Sequence, residues 1–523
     1  MTTEPAAFPV VWDDPADAEK TWFYNAEHMP MTFTPAAFEL VLAPFLRGFG
    51  WGMVPKLVNF YGYFAFDGPR DASEPQVADV AYLRMAAARW NEQILPEVKG
   101  YIETYRTRDF DALSDAELAT EIERLIEVRH RAGVLHTQSV TPYWLGHRLL
   151  IETYKELIED DELAALRLAQ GYRNKSVEAG ERIWELTQLA ASIPVVRNRL
   201  LAAVPDAVCE CFEQLGSEPA ARQFVQAFRA YQDEFGWRSG NDETGATWFE
   251  DATVPLNMLR TYLEMPGYDQ PAEQRALAEA RDAAIEVAFA RLDDAGRAKL
   301  QEVLEAVYGV VTLSEDHNFY IDQRLVTTPR WLIQAIGRRL VANGLLQDAD
   351  LVFFLRTHEL LEALRGSEVS LQQTCQERSA EIKHWRTVTP PPFVGAKPPP
   401  GAPAMDGGPP VPESDVPNEF RGLAASAGVA RGVVRVLTEL SQADRLRPGD
   451  VLVVPVTSPA WTPLFAIACA IVTEVGGALS HTAVVAREYA IPAVVSVKDA
   501  TKRLRDGQLV EVDGSAGVVR VLE

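Results

Sequence analysis

The feature that most constrains this chain is a break. Between Pro390 and Pro417 it carries 11 prolines, in the run PPPFVGAKPPPGAPAMDGGPPVPESDVP. Proline has no N–H to donate and cannot continue a helix, so neither a helix nor a central strand crosses this stretch. Residues 389–418 read as a semi-rigid, partly polyproline linker. At about 3.1 Å per residue it spans at most on the order of 80 Å, enough for one body to swing against the other. The chain is therefore expected to fold as two bodies, 1–388 and 419–523.

The two bodies differ in the period of their apolar residues. The first segment, to about residue 76, is irregular and crowded with aromatics. From about 77 to 388 the pattern is helical: Ser114 with Glu117 forms a capping box, and Leu118, Ile122, Leu125 and Ile126 then draw one apolar stripe. Ten of the 11 tryptophans lie before residue 386, which allows an aromatic-lined pocket in this body. After the prolines, short β-rich runs follow one another (Val433 to Leu437, Val451 to Val456, Ala470 to Val472, Ala493 to Val497, Leu509 to Val512), punctuated by glycine turns, with one helix at 481–489. A large, mainly α-helical domain followed by a compact α/β domain is the expected architecture.

Composition excludes several classes. A formal net charge of −24 repels nucleic acid and anionic membrane, so neither is an expected partner. Four cysteines without a metal-type spacing read as a reducing, cytoplasmic setting. The N-terminus has no signal-peptide pattern, and no apolar run reaches the roughly 18 residues of a membrane span.

The densest chemical signal is TEVGGALSHTAVVARE, residues 473–488. It runs strand, glycine turn, small polar residue, histidine, helix. Ser480 stands where an N-cap belongs, and His481 falls in the first helical turn. Free N–H groups and the positive end of the dipole favour an anion there and disfavour a protonated ring. Gly476 and Gly477 let the backbone approach a phosphate, and Arg487 offers a bidentate fork to its oxygens. A lone histidine at a helix start is more often a cap or a surface residue; the joint pattern points to phosphoryl carriage.

The stretch TEVGGALSHTAVVAREYAIPAVV closely resembles the phosphohistidine signature of the swivelling domain in the PEP-utilising enzymes, such as PEP synthase, pyruvate phosphate dikinase and rifampicin phosphotransferase. The likeness extends through GLAASAGVARGVVRVL, LRPGDVLVVPVTSPAWTPLF and DGQLVEVDGSAGVVRVL, about residues 420–523. It implies a β/β/α swivelling domain with His481 as the phosphorylated residue. Thr457, Glu474, Gly476, Gly477, Ser480 and Arg487 match positions that support the phosphate. The resemblance also implies an ATP-grasp domain, and no such pattern, P-loop or PEP-binding barrel is readable here. ATP and Mg2+ are therefore expected on a separate ATP-grasp subunit, with none bound by this chain alone.

In the helical body, WDDPADAEKTWFYNAEHMPMTFTPAAF, FGWRSGNDETGATWFED and LSEDHNFYIDQR resemble, in the same order, the acceptor-binding domain of rifampicin phosphotransferase and related split systems. Trp237 stands where histidine is common, while Arg238 is retained. Glu315, Asp316, His317, Asp322 and Arg324 form a polar patch, with His317, Ile321 and Arg324 on one face at helical spacing and His317 a candidate general base. A solvated helix end making ion pairs accounts for the same pattern equally well. His28 joins the candidates from the opening segment; His130, His136 and His147 have weaker claims. The acceptor implied by likeness to phenylphosphate synthase-like enzymes is a small aromatic hydroxyl compound, a phenol or alkylphenol. A rifamycin-like or other bulky alcohol is one alternative, a regulatory phosphocarrier another, and a degenerate, structural homologue a third.

Overall fold

A computed structural model describes residues 8–26, 28–67, 77–158, 162–238, 246–265, 267–366, 371–398 and 411–522. The aromatic opening segment is not irregular. It folds into strands β1 (Thr21–Tyr24), β2 (Met53–Val58) and β3 (Tyr61–Phe66). β2 and β3 pair in antiparallel register with Val58 opposite Tyr61. The two residues between them, Asn59 and Phe60, take φ of 48° and 64°, the left-handed pair that a tight hairpin needs. Bulky rings on alternate positions then cover a sheet face, as β propensity favours.

The linker as read from sequence begins too early. Phe393–Gly395 forms β4, which pairs antiparallel with β1 and completes a sheet of order β2-β3-β1-β4. The phenols of Tyr61 and Tyr63 donate to the carbonyls of Val388 and Pro391, anchoring the same stretch. β4 itself holds no proline, and the prolines just before it are tolerated because the strand lies at the sheet edge. Within the linker, residues 399–410 lie outside the described residues, as does 239–245 of the FGWRSGNDETGATWFED segment.

The rest of the first body is helical. Its spine is the helix Asp115–Ile158, 44 residues long, opened by the expected capping box: Ser114 N–H donates to Glu117 at 2.8 Å. The second body holds an eight-stranded sheet of order β5-β12-β11-β7-β8-β9-β10-β6: β5 (Glu419–Arg421), β6 (Leu423–Ser426), β7 (Val429–Val436), β8 (Val451–Val454), β9 (Ala470–Thr473), β10 (Ala493–Val495), β11 (Leu509–Asp513) and β12 (Val518–Val521). β7 to β10 run parallel at its centre, and β8, β9 and β10 read as near-continuous apolar runs because both faces are covered. The helix expected at 481–489 spans His481–Glu488.

The two bodies are docked. One apolar core joins Ile183, Phe228 and Leu259 of the helical body to Leu452, Phe465, Val485 and Ile491 of the second. Val484 inserts into the other large helical core. Polar contacts pin the same seam: Tyr262 donates to the Pro463 carbonyl at 3.0 Å, and Gln274 to the Glu488 carbonyl at 2.7 Å. The Glu488 carboxylate accepts from the Gly171 N–H, and burial pushes its pKa up to about 8.

Candidate active site

β9 ends at Thr473, and the chain turns through Gly476 before the helix that starts at His481. Gly476 has φ +129°, and a Cβ there would meet the Ser480 hydroxyl at 3.0 Å, so the turn requires glycine. Ser480 caps the helix, accepting from Ala483 N–H, while its hydroxyl donates to the Gly477 carbonyl at 2.8 Å. Thr457, after β8, shares a 2.7 Å hydrogen bond with Thr482, so a second loop fixes the first helical turn.

His481 therefore stands at a helix N-terminus, and it faces the other body. Its Nδ1 lies 3.3 Å from the Glu315 carboxylate, and its Nε2 lies 3.4 Å from the Thr462 hydroxyl. Glu315 is 2 % exposed, and its other oxygen accepts from Ser176 at 2.5 Å. Burial alone would raise the Glu315 carboxyl. His481, Ser176 and His317 outweigh it and hold the group below the ordinary carboxylate range. Ser176 sits in the first turn of the helix Lys175–Ser192.

Arg238 is fully enclosed, 1 % exposed. Its Nε donates to Gln323 at 3.0 Å, and the rings of Phe235 and Trp248 flank its guanidinium at 5.6 and 5.4 Å. Among the described residues its two terminal nitrogens meet no partner in good hydrogen-bond geometry, although the Tyr231 phenol interacts with the guanidinium. Burial lowers its pKa, with Tyr231, Tyr489 and Glu315 acting in the opposite sense. A buried guanidinium with open donors is costly unless something anionic joins it.

Beside this lies a second polar group. The helix Leu313–His317 continues as a π-helix over Asn318–Leu325. Its wider turn places residue i beside i+5, so His317 Nε2 comes to 3.4 Å from Asp322. The other Asp322 oxygen is 2.9 Å from Nδ1 of His136, on the long helix. His317 Nδ1 donates to the Leu313 carbonyl, and burial lowers the His317 pKa to about 4. The face predicted for His317, Ile321 and Arg324 does not form, because an α-helical period does not apply through this segment.

Several candidates take other places. Arg487 does not reach toward His481; it donates to the Ala425 and Ala478 carbonyls at 2.8 Å and braces the loop instead. Glu474 accepts from the N–H and hydroxyl of Thr501. Asp316 accepts from the Lys175 N–H at 3.0 Å, at the start of the helix Lys175–Ser192, and burial raises its pKa. Arg324 lies over Trp237 at 4.9 Å. His28 is exposed, with its ring against Asn25. Of the residues that sequence reasoning missed, Thr462 lay within the matched stretch LRPGDVLVVPVTSPAWTPLF. Ser176 carried no local signal. His136 was passed over because its partner lies 186 residues away.

Residues 446–517 match the PEP-utilising enzyme, mobile domain, and residues 134–315 match the rifampicin phosphotransferase fourth domain. Over 99 % of its length the chain is 34 % identical to chondramide synthase of Chondromyces crocatus, covering 14 % of that protein. It is 31 % identical to the uncharacterized phosphotransferase YvkC of Bacillus subtilis, over 81 % of this chain and 51 % of that one. With rifampicin phosphotransferase of Streptomyces sviceus the identity is 29 %, over 73 % of this chain and 43 % of that one. The chain thus spans about half the length, or less, of these relatives.

Proposed function

Because the chain carries the mobile domain of the PEP-utilising enzymes joined to a rifampicin phosphotransferase domain, we propose that it is the carrier and acceptor-binding part of a phosphotransferase, with His481 taking up a phosphoryl group and handing it on. The observation that supports this most is the 3.3 Å contact of His481 Nδ1 with the buried Glu315 carboxylate. An ionised carboxylate only accepts, so this contact favours the proton on Nδ1 and the lone pair on Nε2. In the docked state Nε2 is then the atom that carries the phosphoryl group, beside Thr462 and at the anion-favouring end of the helix.

The same contact suits the transfer step. With Nε2 phosphorylated and Nδ1–H held by Glu315, the ring departs as neutral imidazole rather than as an imidazolide. The Nε2–P bond breaks with its electron pair returning to the ring. An O–P bond forms from the acceptor hydroxyl, whose proton passes to a base. Glu315 belongs to the helical body, so this assistance exists only when the carrier is docked there. To Arg238, a buried cation on the acceptor side, we assign the neutralising of charge on a bound phenolate or on the transferring group.

The acceptor we propose is a phenol or alkylphenol. Phe45 and Phe49 pack against each other and onto His136, and Trp51 packs on Phe49 and reaches Trp144, which is 36 % exposed. Such a wall suits a flat apolar ring with one polar handle. The phosphoryl donor is ATP with Mg2+, held by an ATP-grasp unit outside these residues.

A single-turnover chase tests the proposal. The chain is labelled with radioactive phosphate, freed of nucleotide, and mixed with phenol. The label should move from protein to an acid-stable phenyl phosphate. Label that stays on the protein with phenols but leaves it for a rifamycin would reject the acceptor class, and label that moves to neither would reject the acceptor role.

A further inference from the structure

The cluster of His136, His317 and Asp322 is placed side by side by two distant elements, and its hydrogen bonding contains a conflict. His317 Nδ1 faces the Leu313 carbonyl, which can only accept, so Nδ1 carries the hydrogen. In the neutral ring Nε2 is then a bare lone pair. It points at a second acceptor, the Asp322 carboxylate, 3.4 Å away. Two acceptors at that distance repel unless a positive charge lies between them. The other Asp322 oxygen meets a third donor atom, Nδ1 of His136, at 2.9 Å.

We propose that these three side chains bind a divalent first-row transition ion, Zn2+ foremost, as a two-histidine, one-carboxylate site. Their ligand atoms all lie within 4.8 Å of one another. Bonds of about 2.0–2.2 Å would draw them together by small side-chain rotations. Two imidazoles and a carboxylate suit zinc or manganese better than the all-oxygen preference of calcium or magnesium. The bond from His317 Nδ1 to a backbone carbonyl is the outer contact that orients a metal-binding imidazole. The Phe49 ring stacks on His136 at 4.8 Å with only 4° between planes, and Phe45 packs on it edgewise, so the ring has little freedom to turn away.

Three protein ligands leave further coordination positions open, and the Asp322 side chain is 24 % exposed. A phenol oxygen bound there would lose its proton to water more readily and attack as the metal-bound phenolate. His317 lies two residues along the chain from Glu315, which touches His481. The role of the ion in transfer rests on the acceptor reading above; its binding does not.

The test is equilibrium dialysis of the metal-stripped full chain against Zn2+, and separately against Mn2+, with no nucleotide, phosphoryl donor or phenol present. The expected result is one tightly held Zn2+ per chain. Asp322→Asn and His136→Ala should each weaken it at least about 100-fold, since even losing an outer contact costs 10–100-fold. His481→Ala should bind Zn2+ as the parent does. Circular dichroism of each variant identifies any that fail to fold. As a second measurement, Co2+ bound to the unsubstituted chain should give the visible absorption of an imidazole- and carboxylate-bound ion. No Zn2+ or Co2+ retained by the parent chain, or Zn2+ retained equally by folded Asp322→Asn, overturns the site. Because none of these readings involves phosphoryl transfer, a failed phenol chase leaves them standing, and their failure leaves the chase standing.

Discussion

At the scale of single residues, the account turns on Glu315. It is a buried carboxylate with only a few partners, and one of them is the ring of a histidine on another body. Neutralising it should affect the two halves of the reaction differently. On the proposed function, His481 is phosphorylated when the carrier visits its donor, away from Glu315, and passes the group to the acceptor against Glu315. Glu315→Gln should therefore leave the rate of labelling nearly unchanged and slow the chase to phenol by roughly 10²-fold, the scale of a lost proton-positioning group. Rapid-quench measurement of both half-reactions checks this. Equal losses in both would mean that the residue serves the fold alone.

At the scale of elements, the site depends on how one helix face is allowed to approach another. Gly180, on the helix Lys175–Ser192, lies under Tyr489, and a Cβ at this position would come within 2.4 Å of the Tyr489 hydroxyl and 2.7 Å of the Gln270 side chain. Gly180→Leu should thus hold the carrier helix off its seat. Leucine is a better helix former than glycine, so the helix itself is spared. Labelling of His481 should persist while the chase to phenol is lost, and small-angle scattering should report a more extended chain. A chase at the parent rate would show that this seat is not the one used for transfer.

The elements also show what was legible in the sequence. The carrier helix was placed within one residue, because a cap, a glycine turn and an apolar helical face all agreed there. The sheet built from aromatic residues was missed, since Asn59-Phe60 is an unusual hairpin turn and β4 is contributed from more than 300 residues further along. His317 and Asp322 are legible as members of one polar patch, but helical spacing puts His317 on a face with Ile321 and Arg324 instead of beside Asp322. An α-helix sets i and i+5 far apart, and nothing local signals that Asn318–Leu325 widens to a π-helix. Arg487 illustrates the opposite error: a motif position taken for a phosphate contact proves to hold backbone carbonyls.

At the scale of the whole molecule, a linker joins two bodies that share a core. The docked state buries Val484, Val485 and Ile491 against helices of the first body and closes His481 down to 14 % exposure. On the proposed function, a phosphoryl group from a bulky nucleotide site is loaded outside that state, so the carrier leaves its seat and returns. The apolar seam favours return, and the proline-rich chain limits how far the carrier strays. All of this presupposes that one histidine is the cargo point. The most direct measurement is to supply labelled ATP with its ATP-grasp unit, digest the chain at alkaline pH, and map the acid-labile phosphate by mass spectrometry. The account predicts phosphohistidine on His481 alone, and an unlabelled but folded His481→Ala. Label on another residue, or label retained in that variant, would contradict it.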